Sequence, residues 1–198
     1  MTFDTFLALI ALATGTLFTP GPNNAMLAAS GANFGFRRSL PHLFGVAIGF
    51  PLMLLIVGLV LGEVFRQSAF LREALRWGGA LLLLWIAWKI ATASGKDSGS
   101  TRTRPLKFTE AAAFQWINPK GWSMAVAATS QFVTAAAPWA SAAIVALTFL
   151  SLGLVSSATW TAAGKAISRW LTTDGRRKGF NLVMAALIVL SIVQLVAH

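Results

Sequence analysis

Two short stretches carry groups suited to binding a small charged molecule. Thr19-Pro20-Gly21-Pro22-Asn23-Asn24 and Ile117-Asn118-Pro119-Lys120-Gly121 each interrupt a long apolar segment. Proline lacks the backbone N–H and clashes with the carbonyl one turn back, so it ends or kinks a helix. Glycine and asparagine tolerate turns and caps. The pattern has Pro20-Gly21-Pro22 ending one helix and Asn23 or Asn24 capping the next. Asn118 stands near a second N-cap, with Pro119 at the first helical position. A helix start offers free N–H groups and partial positive charge to a carboxylate. A helix end offers bare carbonyls to an ammonium, and a zwitterion presents both groups. The alternative for either stretch alone is a plain proline kink.

Other chemistry is thin. The chain has no cysteine and only two histidines, His42 and His198, so neither a thiolate nor a histidine metal site is implied. It has no His/Asp/Glu cluster and no GxSxG setting for a nucleophile, which argues against an enzyme and implies no cofactor.

The elements that must hold these stretches are apolar helices. Hydrophobic residues make up 56% of the 198-residue chain and charged residues 11%, against about 25% charged in a soluble domain. Six apolar blocks run approximately Phe3–Phe34, Leu40–Leu61, Phe70–Ile90, Phe108–Val133, Trp139–Ala163 and Phe180–Ala197. A spanning helix needs about 20 residues. The first block is too long for one straight helix and contains the first break. No block alternates as a barrel strand would. The expected fold is an all-α polytopic membrane protein with six transmembrane helices, the first and fourth of them broken.

The net charge of +10 suggests nucleic acid at first sight. The basic residues, however, sit between the apolar blocks, where the positive-inside rule expects them. Arg37, Arg38, Lys89, Lys96, Arg102, Arg104, Lys107, Lys165, Arg169, Arg176, Arg177 and Lys178 all fall in the odd connections, while Arg66, Arg72 and Arg76 fall in the second, among Glu63 and Glu73. The odd connections are therefore expected in the cytoplasm and both termini outside it. The start of the chain has no basic region of the signal-peptide kind.

Ser94 to Pro105 is rich in Ser, Gly and Thr and reads as a linker. It separates a first set of three spans, 1–93, from a second, 108–198, with 94–107 as a basic connection. Three is odd, so the two sets run in opposite senses across the bilayer, an inverted repeat. A break occurs in the first span of each set. In lipid such a break survives only if it is buried in protein or lines a wet cavity. Paired breaks therefore favour a midplane site over two kinks, with Pro20, Gly21, Pro22, Asn23, Asn24, Asn118, Pro119 and Lys120 as its residues. A lysine at helix centre costs about 2.5–3.5 kcal/mol on insertion scales. Lys120 lies roughly 18 Å from either end of its span, too far to snorkel.

Glu110 is a candidate gate carboxylate, although pairing with Lys107 or Arg104 at a span end is favoured. Gln115 and Asn181 either bond between helices or line a path. His42 reads as a histidine satisfied at the start of its helix rather than a proton relay. Gly31/Gly35, Gly45/Gly49 and Gly58/Gly62 have small-xxx-small spacing, for packing within the monomer or for a homodimer face.

TPGPNNAMLAASGANFGFRRSLPHLFGVAIGF, from Thr19 to Phe50, resembles the N-terminal signature of the LysE/RhtB superfamily of amino-acid exporters. FQWINPKGWSMAVAATSQFV, from Phe114 to Val133, resembles its second signature. WIAWKI, Trp85 to Ile90, and GRRKGFN, Gly175 to Asn181, are similar to further family segments, so the likeness covers essentially the whole chain. The doubled asparagine and WIAWKIA are most similar to the cysteine/O-acetylserine branch. The resemblance implies export of amino acids or derivatives across the bacterial inner membrane, driven by the proton-motive force. It carries the family's functional positions onto Pro20, Gly21, Pro22, Asn23, Asn118, Pro119 and Lys120. Proton coupling ordinarily uses a titratable group in the pathway, yet Asp4, Glu63 and Glu110 all sit near span ends. A membrane scaffold and a channel are the competing classes. A scaffold needs neither paired breaks nor a buried lysine.

Overall fold

The computed structural model describes residues 1–61, 68–92 and 104–196. Eight α-helices account for nearly all of these, with no strand among them. They are α1 (Phe3–Phe18), α2 (Pro22–Phe34), α3 (Leu40–Ile56), α4 (Ala69–Ala91), α5 (Phe108–Phe114), α6 (Pro119–Phe132), α7 (Pro138–Ser168) and α8 (Asp174–Val196). Most of the Ser94–Pro105 linker, Glu63 and Arg66 lie outside the described residues.

Local sequence explains the helix ends. Thr2 caps α1 by accepting a hydrogen bond from the Thr5 backbone at 3.3 Å. α2 stops at Gly35, whose φ of 77° suits a residue without Cβ. Proline stands in the first turn of α2, α3, α6 and α7.

Two stretches, Arg37–Val60 and Pro138–Ser168, are each long and apolar enough to cross a membrane. α1 and α2 qualify together as one span bent by 54°. Of the other expected blocks, the sixth lies in one unbroken helix, α8, and the fourth is divided. The Phe108–Val133 block divides into α5, a 3₁₀ turn at Gln115–Ile117 and α6. α4 is a single helix, and among the described residues its apolar stretch is Trp77–Ala91.

Each broken helix runs beside a continuous one. α1–α2 follows α7: the Ser156 hydroxyl meets the Leu17 carbonyl, and further along Gly164 lies against Ala28. A Cβ on either Gly31 or Gly164 would overlap the facing backbone, so these glycines set the helix separation. α5–α6 follows α3 in the same manner. Gly45 and Gly49 face Phe108, Ala111 and Ala112, and Gly58 faces Thr129 and Val133. Gly31, Gly45, Gly49 and Gly58 thus serve packing inside this chain, whereas a Cβ on Gly35 would meet no described atom within 4 Å and Gly62 lies outside the described residues. α4 packs on α8, and α3 packs on α7.

These contacts bring the ends of α2, α4 and α7 and the starts of α3, α5 and α8 to one end of the bundle. That end carries Arg37, Arg38, Arg104, Lys107 and Arg169. Large apolar side chains such as Leu52, Leu81, Leu147, Leu182 and Leu190 are more than half exposed around the sides. So broad an apolar exterior suits lipid rather than water.

Candidate functional site

The two breaks meet. Asn23 and Gln115 pair through their amides, Nδ2 to Oε1 at 2.9 Å and Nε2 to Oδ1 at 3.3 Å, across 92 residues of sequence. Gln115 is fully buried and also donates to the Ala111 carbonyl. Lys120 crosses from the second break to the first. Its ammonium lies 3.0 Å from Thr19 Oγ1, 3.2 Å from the Thr19 carbonyl and 3.4 Å from the Pro20 carbonyl. Gly21 makes room for this reach, since a Cβ there would stand 2.9 Å from Lys120 Nζ.

The caps differ from the sequence expectation. Neither Asn23 nor Asn24 caps α2. Gly21 holds that position in extended backbone, with no side-chain bond, and Pro22 follows at the first helical position. The asparagines therefore fall inside the first turn. Asn24 reaches back, donating at 2.8 Å to the carbonyls of both Leu17 and Thr19. The carbonyls freed at the end of α1 are thus taken by Asn24, Ser156 and Lys120. The sequence reading had offered them to a ligand's ammonium. Asn118 does occupy the N-cap of α6, with Pro119 behind it, but its side chain makes no cap bond. Its Oδ1 is buried without a hydrogen-bond partner among the described residues. A buried orphan acceptor costs about 1–3 kcal/mol, and here it invites a donor.

A cavity of about 40 Å³ lies between the breaks. Gly21, Pro22, Asn23, Asn24, Asn118, Lys120 and Gly121 line it, so two helix starts without side-chain caps open into one space. Their partial positive charges add to that of Lys120. At about 10–15 Å³ of cavity per water, the volume holds about three waters and not an amino acid. α3 contributes Val46, Phe50 and Pro51 to the wall, and α7 contributes Phe149, Gly153, Ser156 and Ser157. Sequence reasoning did not single these out. Pro51 and the Ser156-Ser157 pair, each in the middle of an apolar block, were the available signals.

The remaining candidates lie elsewhere. Glu110 sits at the start of α5, where both carboxylate oxygens bind Arg104, at 2.7 and 2.9 Å, and one accepts the Lys107 N–H. This carboxylate keeps the Arg104 guanidinium protonated to still higher pH than usual. Asn181 and His42 are buried and line a second cavity at the basic end. Among the described residues no group of three His, Cys, Asp or Glu could hold a metal.

A helical bundle with an apolar exterior, a cation inside it and two half-helix starts around an internal cavity has the parts of a membrane translocator. The chain belongs to the LysE type translocator family, which it matches over residues 15–198. It is accordingly an integral membrane protein and not an enzyme. It is 35% identical over 178 residues, 88% of each chain, to the cysteine/O-acetylserine efflux proteins of Escherichia coli strain K12 and Shigella flexneri serotype 5b strain 8401. The same identity and coverage hold for the cysteine/O-acetylserine efflux protein of Escherichia coli O6:K15:H31. No solved structure shows a significant match to this chain.

Proposed function

We propose that this protein is a secondary exporter of neutral amino acids or their derivatives, of the cysteine or O-acetylserine kind, working by proton antiport. The observation that carries the proposal is the meeting of the two breaks around Lys120. Substrate carboxylate competes with the Thr19 and Pro20 carbonyls for the lysine ammonium and settles at the starts of α2 and α6. Substrate amine donates to Asn118 Oδ1. Asn23 and Gln115 hold the two breaks in register. The substrate-binding set is Pro20, Gly21, Pro22, Asn23, Asn24, Asn118, Pro119 and Lys120.

The six spans form two inverted three-helix repeats, 1–93 and 108–198, joined by 94–107. Three pairings support this reading: α1–α2 with α7, α5–α6 with α3, and α4 with α8. An exchange of halves turns the first pairing into the second and returns the third to itself. The clustered basic ends favour a cytoplasmic position for that face, with both termini periplasmic. A cavity too small for substrate belongs to a closed state, and movement of one repeat against the other opens it.

Efflux from loaded proteoliposomes, across an amino-acid panel and with and without a pH gradient, tests the function. Saturable, gradient-dependent release of a small neutral amino acid is the expected result. No movement of any compound would leave the scaffold reading, and non-saturating flux without a gradient would indicate a channel.

A further inference from the structure

A second cavity, of about 150 Å³, lies at the basic end of the bundle. α2 walls both cavities, yet no residue lines both. A void of about 150 Å³ admits a molecule the size of benzene, which is the scale of a small amino acid. Its lining includes three buried polar side chains from three helices: Ser30 of α2, His42 of α3 and Asn181 of α8. Ser30 Oγ and His42 Nδ1 are 2.8 Å apart, and His42 is 1% exposed. An ionisable side chain inside a membrane bundle marks a pathway by default, and His42 is one. Lys89 and Arg104 bring charge to the same cavity. Lys89 Nζ stands 5.5 Å from the Trp88 ring and 5.7 Å from the Trp85 ring, while Arg104 is held by Glu110.

We propose that this cavity is a second amino-acid station, loaded before the Lys120 cavity, and that His42 is the group that takes the counter-transported proton. The inference rests on the transport reading above and adds to it where the proton binds. Substrate carboxylate lies toward Lys89 and substrate amine toward the Ser30–His42 pair. A neutral imidazole has a ring nitrogen that accepts from an ammonium. An imidazolium has two donors, no acceptor and a positive charge, so it excludes the ammonium. Amine and proton therefore occupy the station in turn, as antiport requires.

A proton from the far side binds one ring nitrogen, and no other bond changes. Arriving substrate displaces that proton to water at the basic end, which restores the neutral ring. The charged groups lining the cavity besides His42 are Lys89 on α4 and Arg104 ahead of α5, with Glu110 on Arg104. α2 and α8 contribute only the uncharged Ser30, Asn33 and Asn181 to its polar lining.

The test is His42→Gln in proteoliposomes, assayed in two modes. Equilibrium exchange of labelled for unlabelled amino acid needs no net proton movement, whereas concentrative transport driven by a pH gradient does. The expected result is loss of concentrative transport, while exchange, weakened because the amine loses its imidazole partner, still proceeds and no longer depends on pH. Concentrative transport by His42→Gln at the wild-type level would overturn the proposal and leave the exporter reading intact. Loss of both modes in a protein that still purifies as a single species would also overturn it, since His42 would then be structural. Ser30→Ala keeps the imidazole and should retain coupling with a shifted pH profile; an unchanged profile would count against the pair. If wild type itself moves nothing, the failure lies with the exporter reading.

Discussion

Lys120→Met separates a functional lysine from a structural one. Methionine keeps an unbranched chain of similar length and removes only the ammonium. Charge-assisted hydrogen bonds contribute about 1.5–3 kcal/mol each when well formed. The three made by Lys120 are 3.0, 3.2 and 3.4 Å long, so they fall at the low end of that range. Against them stands the penalty for placing a lysine at membrane depth, about 2.5–3.5 kcal/mol. Thr19 O also keeps its bond from Asn24 after the change. The net effect on stability is therefore within about 2 kcal/mol of zero. Losing a charge that pairs with a desolvated carboxylate costs about 2–5 kcal/mol of binding, or roughly 30-fold to 4,000-fold in affinity. Efflux from proteoliposomes, run beside thermal unfolding in detergent, reads both quantities. The expected outcome is near-wild-type unfolding with transport abolished. Wild-type transport by Lys120→Met would refute the carboxylate role. Collapse of folding by much more than 2 kcal/mol would show that the lysine is a structural plug.

Other expectations follow from the same geometry. Asn23→Ala leaves Gln115 Oε1 buried without its donor, so it should lower stability by about 1–3 kcal/mol and abolish efflux while insertion continues; normal efflux would show that the seam is dispensable. Asn118→Leu removes an orphan acceptor, so it should leave the fold as stable or more so, yet weaken substrate binding as read by the concentration for half-maximal efflux. Gly164→Val forces α7 off α2 and should reduce folded yield in size-exclusion profiles, by an overpacking cost of about 1–3 kcal/mol or more. Glu110→Gln should leave the pH profile of efflux unchanged, because that carboxylate is occupied by Arg104; a shifted profile would return Glu110 to the coupling path. The chain has no natural cysteine, so Ser98→Cys gives a single reporter that should resist impermeant thiol reagents in intact cells; labelling there would invert the orientation.

What the sequence revealed was whatever interrupts an apolar run. Pro20-Gly21-Pro22, Asn118-Pro119 and Lys120 stand out because each breaks a rule that lipid imposes on a helix. The clustering of basic residues at one end was legible for the same reason. What stayed hidden depends on which face of a helix meets which neighbour. Ser30 and His42 lie on consecutive helices and Asn181 on the last, and nothing in their spacing says that they share a cavity. The Asn23–Gln115 pair is equally invisible in sequence. The misplaced caps have a local cause: with Pro22 at the first helical position, the N-cap falls on Gly21, two residues before the first asparagine. The size of the cavity between the breaks depends on the packing of four segments, and no single stretch encodes it.

The most direct test is a solid-state NMR distance between a ¹³C-carboxyl amino acid, chosen from the efflux panel, and ¹⁵N-labelled lysine side chains in bilayers. The expected result is a carboxyl carbon within about 4 Å of a lysine Nζ, with that signal lost in Lys120→Met. A bound amino acid that shows no contact to Lys120 would contradict a substrate site between the two broken helices.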